Sequence, residues 1–361
     1  MLHRSSARVI AKTGWAAVLR GCGLLWLAKQ WARRNGIIAL TLHRILNDEE
    51  IAATASLPGM IVRRETFDEF LSYAKENLQV VDLAGEISWE RRKRPAIALT
   101  FDDGWCDNAA GGFPLARKHG APMTVFVVPG RAGSQSPFWP EQTASVLGRR
   151  LGENISREEY LEEVIERLKA LPQAQRDAEM HRMFGAEDAH TAASVDRTMT
   201  WEEIERMHAG GVTFGSHTCT HEILTRIPLE RAEEEITHSR QAIEKRLGGE
   251  CRLFAYPNGN SSQQVREMVQ RAGYKLAFVN DWPEVWTAAT DPYQVPRVNV
   301  CEFHLIGVNG KFSPLIFEYA VLWSAVRNCW IHRVTGTLRR LAAKLRVPSQ
   351  ESGELEAESK H

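Results

Sequence analysis

The chain has no uninterrupted apolar run of the roughly 18 residues that a membrane-spanning helix needs. Glu318 and Arg327 break the best C-terminal candidate. Arg20 interrupts the apolar stretch near the N-terminus, and no small-residue cleavage site follows it, so neither a transmembrane anchor nor a cleaved secretory signal is expected. Cysteine is sparse: Cys22, Cys106, Cys219, Cys251, Cys301 and Cys329 are scattered without a Cys-x-x-Cys pair, which argues against a disulfide framework or a structural zinc knuckle. Net charge is absent too, with 45 basic and 45 acidic residues, which argues neither for nor against a nucleic-acid partner, and no such partner is expected. A hydrophobic content of 43% and a charged content of 25% exclude a disorder-dominated chain.

The distribution of charge says more than its sum. Residues 1–47 contain no acid before Asp48 but carry Arg4, Arg8, Lys12, Arg20, Lys29, Arg33, Arg34 and Arg44. Residues 327–346 are likewise basic, and both flanks hold tryptophans, among them Trp15, Trp26, Trp31, Trp323 and Trp330. Basic, aromatic flanks suit peripheral contact with an anionic membrane. Helices packed on a domain with a solvated basic face are the plainer alternative. The missing signal and free cysteines point to the cytoplasmic side, or a peripheral position at the inner membrane, rather than export.

Between the flanks, short apolar runs recur at Ile37–Leu42, Gln79–Leu83, Ala96–Phe101, Met123–Val128, Val212–Gly215, Arg252–Ala255, Leu276–Val279 and Gln294–Val300. Helical patterns separate them: Glu65–Glu76 with Thr66 as N-cap, Pro228–Leu247, and Ser261–Ala272 between Asn260 and Gly273. Alternating strand and helix predicts an α/β fold with parallel strands. Residues 131–200 break the rhythm and read as a helical insertion, with a charged helix near Ser156–Ala170 and the character of a lid or substrate wall. The expected organisation is a basic flank over 1–35, a domain over 36–302, a basic aromatic helical flank over 303–346, and a disordered tail over 347–361.

Four of the predicted strands end in polar residues: Asp102 and Asp103 after Phe101, His217 after Gly215, Tyr256 after Ala255, His43 after Leu42. In parallel α/β architectures the carboxyl edge of the strands is where active sites form. His217-x3-His221 offers two imidazoles to one ion, and a carboxylate completes a three-ligand face with positions left open for water and substrate. Adjacent aspartates on an extended segment point apart, so one can ligate while its neighbour faces the attacking water. Cys219, between the two histidines, is on the wrong side of the turn to reach the ion.

The motifs "LTFDDGW" (99–105), "GSHTCTH" (215–221) and "RLFAYPNG" (252–259) resemble the first three motifs of the polysaccharide deacetylases, the NodB-homology carbohydrate esterases of family four. The resemblance covers roughly residues 37–300 without the insertion. It implies a distorted (β/α) barrel of about seven strands and a hydrolase that removes N-acetyl groups from an amino-sugar polysaccharide in the cell envelope, with a divalent metal, commonly zinc. It implies Asp102 as general base toward a metal-bound water, Asp103, His217 and His221 as ligands, and the Tyr256 backbone N–H as an oxyanion donor. Arg252 matches a motif arginine that orients the base.

The C-terminal Leu-x-His motif that carries the acid in many relatives is missing, and His304 in "CEFHLIG" has the wrong context. "LTLHRIL" (40–46) instead resembles the first strand of the poly-N-acetylglucosamine deacetylase branch, which implies His43 as general acid; a core histidine bonded to a backbone carbonyl is the alternative. Asp281 and Trp282 could tune the base and wall the acetyl pocket or form a plain surface loop, and Trp139 could stack on a sugar or merely anchor the insertion. Competing functions are deacetylation or deformylation of a lipid-linked amino sugar, a non-catalytic carbohydrate-binding relative, and a non-haem iron oxygenase, which shares the two-His-one-carboxylate face.

Overall fold

A computed structural model describes residues 6–151, 156–185, 194–280 and 284–331. The strands are β1 (Ile37–Leu42), β2 (Arg44–Leu46), β3 (Ile61–Arg63), β4 (Gln79–Val80), β5 (Ala96–Phe101), β6 (Thr124–Val127), β7 (Thr213–Ser216), β8 (Leu253–Ala255), β9 (Leu276–Val279) and β10 (Val295–Asn299). The α-helices are α1 (Ser6–Gly21), α2 (Leu24–Asn35), α3 (Asp48–Ala53), α4 (Arg64–Asn77), α5 (Phe113–His119), α6 (Trp139–Leu151), α7 (Ser156–Ala170), α8 (Gln173–Phe184), α9 (Trp201–Ala209), α10 (Leu229–Leu247), α11 (Gln263–Arg271) and α12 (Pro314–Phe317).

Seven strands pair in parallel in the order β1-β10-β9-β8-β7-β6-β5, and β5 pairs back onto β1 along all six residues, from Ile37 opposite Ala96 to Leu42 opposite Phe101. The sheet therefore closes into a seven-stranded (β/α) barrel, the expected fold class. Its distortion has a local origin. Since β1 occupies one side of β5, β4 and β6 share the other: Gln79 pairs with Ala96 near the start, and Thr124 pairs with Thr100 near the end. The expected strand from Gln79 to Leu83 shrinks to a two-residue stub.

Every residue of β1 and of β5 is buried, so the period of two cannot be read from hydropathy. It shows instead as a size pattern. Ile37, Ala39, Ala96, Ala98, Phe126, Leu253, Ala255, Phe278 and Val295 fill the barrel interior, whereas Ile38, Leu40, Leu42, Ile97, Leu99 and Phe101 face the helices. The small alanines leave interior room that a long side chain from β10 occupies, as described below.

Two caps differ from expectation. Helix α4 starts one residue early, and Thr66 does not cap it: Glu302, beyond β10, accepts from the Arg63 N–H at 2.9 Å and the Thr66 hydroxyl at 2.7 Å. Helix α11 is capped by Ser262, whose hydroxyl accepts from Val265 N–H at 3.2 Å, rather than by Asn260. The insertion carries three helices, α6 to α8. They bury Val146, Leu147, Leu161, Val164, Leu168 and Phe184 in a small core of their own.

Candidate active site

Asp102 and Asp103 leave the carboxyl end of β5 on a sharp turn. Asp102 N–H still donates to Leu42 O, 3.0 Å away, so it continues the ladder, and then Asp103 (φ 72°) and Gly104 (φ 69°) both adopt left-handed backbone. A non-glycine residue in that region costs about 1–2 kcal/mol, held here by the surrounding structure. All four described non-glycine residues with positive φ (Asp103, Thr218, His221 and Asn258) lie on loops at the carboxyl ends of β5, β7 and β8. Backbone strain is thus concentrated where the predicted chemistry sits.

His217 and His221 follow β7 on a loop clamped from two sides. Glu235 of α10 accepts from Thr220 N–H and Oγ1, each at 2.7 Å, and Cys219 O accepts from Gly130 N–H at 2.9 Å. A Cβ on Gly130 would lie 2.5 Å from that Cys219 oxygen, so glycine is required there. The result brings three side chains together. Asp103 Oδ1 lies 3.2 Å from His221 Nε2 and 3.6 Å from His217 Nε2, and one potential donor atom from each of the three falls within 4.8 Å of the others.

The donor set fits a divalent ion. His217 Nδ1 lies 2.8 Å from Ala255 O, which fixes the tautomer that presents an unprotonated Nε2 to the site. Burial pushes the His217 pKa down to about 4, so the ring is neutral at neutral pH. Burial opposes the charge of Asp103, yet the imidazoles of His221, His43 and His217 outweigh it and hold the carboxyl well below the usual range. Its second oxygen accepts from Trp105 Nε1 at 2.9 Å. The Trp105 ring in turn lies under the buried Arg44 guanidinium, 4.3 Å from the ring centroid. Arg44 is paired with Asp107 (2.7 Å) and Asp196 (3.0 Å), which ties the chain beyond β1 to the end of the insertion.

Asp102 is the other buried carboxylate, and its partner is Arg297 on β10. The pair is bidentate, with Nη1–Oδ1 and Nη2–Oδ2 both 2.7 Å, and Arg297 Nη1 also donates to Thr100 Oγ1 at 3.2 Å. This guanidinium is the long side chain in the alanine-lined interior. Burial raises the Asp102 pKa, but Arg297 and then His217 outweigh it and hold the carboxyl below its ordinary value. The arginine expected at the base was Arg252. It sits at the other, amino end of the barrel, donates to Ala84 O at 3.3 Å, and lines a cavity of about 410 Å³ there. The lone charged residue in the strand-like run "QVPRVNV", between Val295 and Val298, was the available signal for Arg297, because a buried cation requires a partner.

Tyr256 also departs from its expected part. Its N–H donates to Phe278 O at 3.1 Å within the β8–β9 ladder, and its hydroxyl donates to Tyr293 O at 3.1 Å, so that N–H is not available to an oxyanion. His43 stands between β1 and β2, half-buried, an electrostatic neighbour of both Asp102 and Asp103. Asn108 Nδ2 holds its backbone carbonyl at 2.8 Å, and its own buried Nδ1 has no hydrogen-bond partner among the described residues, unlike a core histidine tied to a carbonyl. His304 Nδ1 instead accepts from Cys301 N–H at 3.2 Å. Trp139 packs into the core of the insertion, with Arg176 5.1 Å from its ring centroid. The aromatic at the site is its neighbour Phe138, 4.7 Å from the His221 ring and 5.1 Å from Trp105. Asp281 and Trp282 lie outside the described residues.

Glu141, in the first turn of α6, is a third buried carboxyl in the field of Asp103. Burial, and then the Asp103 charge, pushes its pKa up to about 8. Its folded-state pKa thus exceeds the unfolded one, so the penalty is absent below the ordinary carboxylate range and grows as pH rises toward 8. In chelator-treated protein, Glu141→Gln is expected to raise the melting temperature by about 2 °C or more at high pH and to change it little near about pH 5. Thermal denaturation at the two pH values measures this, and an equal shift at both would refute it.

A family model described as polysaccharide deacetylase matches residues 90–277. The Bacillus subtilis protein YxkH, named as a polysaccharide deacetylase, is 18% identical over 211 residues, which make up 58% of this chain and 53% of that protein. The chain thus spans about half the length of the curated relative it matches. Among solved structures, a de-N-acetylase from Aggregatibacter actinomycetemcomitans superposes with a TM-score of 0.50 at 14% identity, covering 78% of this chain and 99% of that one. IcaB from Ammonifex degensii gives 0.48 at 21% identity, with 74% and 92% covered. At such identity the first of these likenesses bears on the fold alone. With a family match over more than half its length, laid on a closed barrel whose motif residues meet at one edge, the chain belongs to the polysaccharide deacetylase family.

Proposed function

We propose that this chain is a divalent-metal-dependent hydrolase that removes N-acetyl groups from an N-acetylglucosamine-containing polysaccharide. The observation that carries the reading is the meeting of Asp103, His217 and His221 beside an Asp102 held ionised by Arg297. A metal ion held by the three ligands, zinc being the ion their nitrogen and oxygen donors suit, supplies Lewis acidity toward water and the acetamide carbonyl. Asp102 takes the proton of the attacking water. His43, across the site, gives a proton to the departing glucosamine nitrogen, which yields acetate and an amine. The oxyanion donor is reassigned from Tyr256 to the backbone N–H of Asn258, since Pro257 has none and Asn258 begins a left-handed turn on the same loop. Phe138, rather than Trp139, walls the pocket beside His221.

The experiment is acetate release from soluble N-acetylglucosamine oligomers by chelated and zinc-reconstituted protein, with His43→Ala and His304→Ala assayed in parallel. Activity is expected to disappear on chelation and return with metal, and to fall by about 10²-fold or more in His43→Ala only. Full activity after verified metal removal, or a larger loss in His304→Ala, would overturn the corresponding assignment. A lipid-linked amino sugar is the second substrate reading, favoured by the location of the apolar surface described next.

A further inference from the structure

Helix α1 is apolar on its outward face as well as its inward one. Between Arg8 and Arg20 its exposed residues are Ile10, Ala11, Gly14, Trp15, Ala17 and Val18, none of them charged and none with a hydrogen-bonding side chain except the Trp15 indole. Lys12 instead points inward, its ammonium bonded to Phe303 O and stacked 3.7 Å from the Phe303 ring centroid. Ten large apolar side chains stand exposed among the described residues, and five of them fall between positions 10 and 27. They are Ile10 (61%), Trp15 (63%), Val18 (53%), Trp26 (62%) and Leu27 (45%), a concentration that scattered surface residues do not produce. A helix whose apolar face is left to solvent while its lysine is buried is placed for something apolar outside the fold.

Charge decides what that is. Arg8, Arg20 and Arg34 are exposed along the same two helices, and no acidic residue occurs before Asp48. Tryptophans flanked by arginines match the interface of an anionic bilayer, where indole rings sit at headgroup depth and guanidinium groups meet lipid phosphates. A second copy of the chain would bring arginine against arginine. We propose that the α1–α2 face docks on an anionic membrane surface. Its position adds a consequence: Lys12 ties α1 to the segment leaving the carboxyl end of β10, the end of the barrel at which Asp103, His217 and His221 meet. Docking therefore holds the mouth of the site near the bilayer.

Co-sedimentation of the full chain with phosphatidylcholine vesicles, with and without phosphatidylglycerol, tests this. The comparison variant carries Trp15→Ser, Val18→Ser and Trp26→Ser together. The unaltered protein is expected to bind the phosphatidylglycerol vesicles preferentially and to be released by high salt. The triple variant should lose at least about tenfold in binding while turning over soluble N-acetylglucosamine oligomers at the unaltered rate. That last readout separates the docking proposal from the proposed function, since a chain inactive on oligomers can still bind vesicles. Absence of vesicle binding, equal binding to pure phosphatidylcholine, or unchanged binding by the triple variant would overturn the proposal. So would concentration-dependent dimerisation that the same substitutions abolish.

Discussion

Asp102→Asn is expected to lower the deacetylation rate by about 10²–10⁴-fold while leaving metal binding intact. The amide keeps the shape of the carboxylate but cannot take a proton from water. The ligand set of Asp103, His217 and His221 is untouched by the change, since Asp102 Oδ2 stands 4.0 Å from the nearest ligating nitrogen, His217 Nε2. Metal content by elemental analysis and acetate release on the same sample are the two measurements. Wild-type turnover with full metal occupancy would remove Asp102 from the mechanism. Loss of the metal together with activity would make it a ligand instead.

Arg297→Met is expected to cost about 3–5 kcal/mol of folding stability, because it leaves the buried Asp102 carboxylate unpaired. Asp102 then regains the upward push of burial without the guanidinium that opposed it. Its pKa rises, and the acid limb of the pH–rate profile moves to higher pH. The sign follows from the direction of the interaction: Arg297 favours the ionised base, so its loss shrinks the ionised fraction at any given pH. Adding Asp102→Asn to Arg297→Met should recover part of the lost stability, since an amide is cheaper to bury than an unpaired carboxylate. Denaturant unfolding of the single and double variants measures the coupling. If the double variant were no more stable than Arg297→Met, the ion pair would not be the source of the cost.

The barrel itself was largely legible from pattern. The runs Ile37–Leu42, Ala96–Phe101 and Leu276–Val279 are strands with those bounds, and the others differ by a residue or so at the ends, except Gln79–Leu83, which shrinks to Gln79–Val80. Strand β2 was missed because Arg44 reads as a surface residue until Asp107 and Asp196 are seen around it. The candidate ligand cluster was legible for a different reason: Asp103 and His217 lie within two residues of a strand end, so their place at one edge depends only on the strands being parallel, and His221 follows four residues after His217 on the same loop. Arg297 depends on more. It meets Asp102 across 195 residues of chain, and nothing local to either residue reports that separation. Tyr256 was misjudged because the partner of a backbone N–H is a matter of sheet register, which side-chain chemistry does not reveal. For Trp139 a single-residue step along the chain decided between core and pocket, with Phe138 taking the pocket. The basic flank was read by its charges, while the feature that sets it apart is the apolar face between them.

The ring of strands closes only where β1 meets both β5 and β10. During synthesis His43, just after the first strand, and the aspartates after β5 are available long before Arg297 emerges. Until then the Asp102 carboxylate has no counter-ion, and the seam beside β1 stands open as an exposed strand edge. Assembly of this edge is thereby made to wait for β10, rather than accruing strand by strand. Chains released early should be inactive and prone to pairing with one another along that unclosed edge.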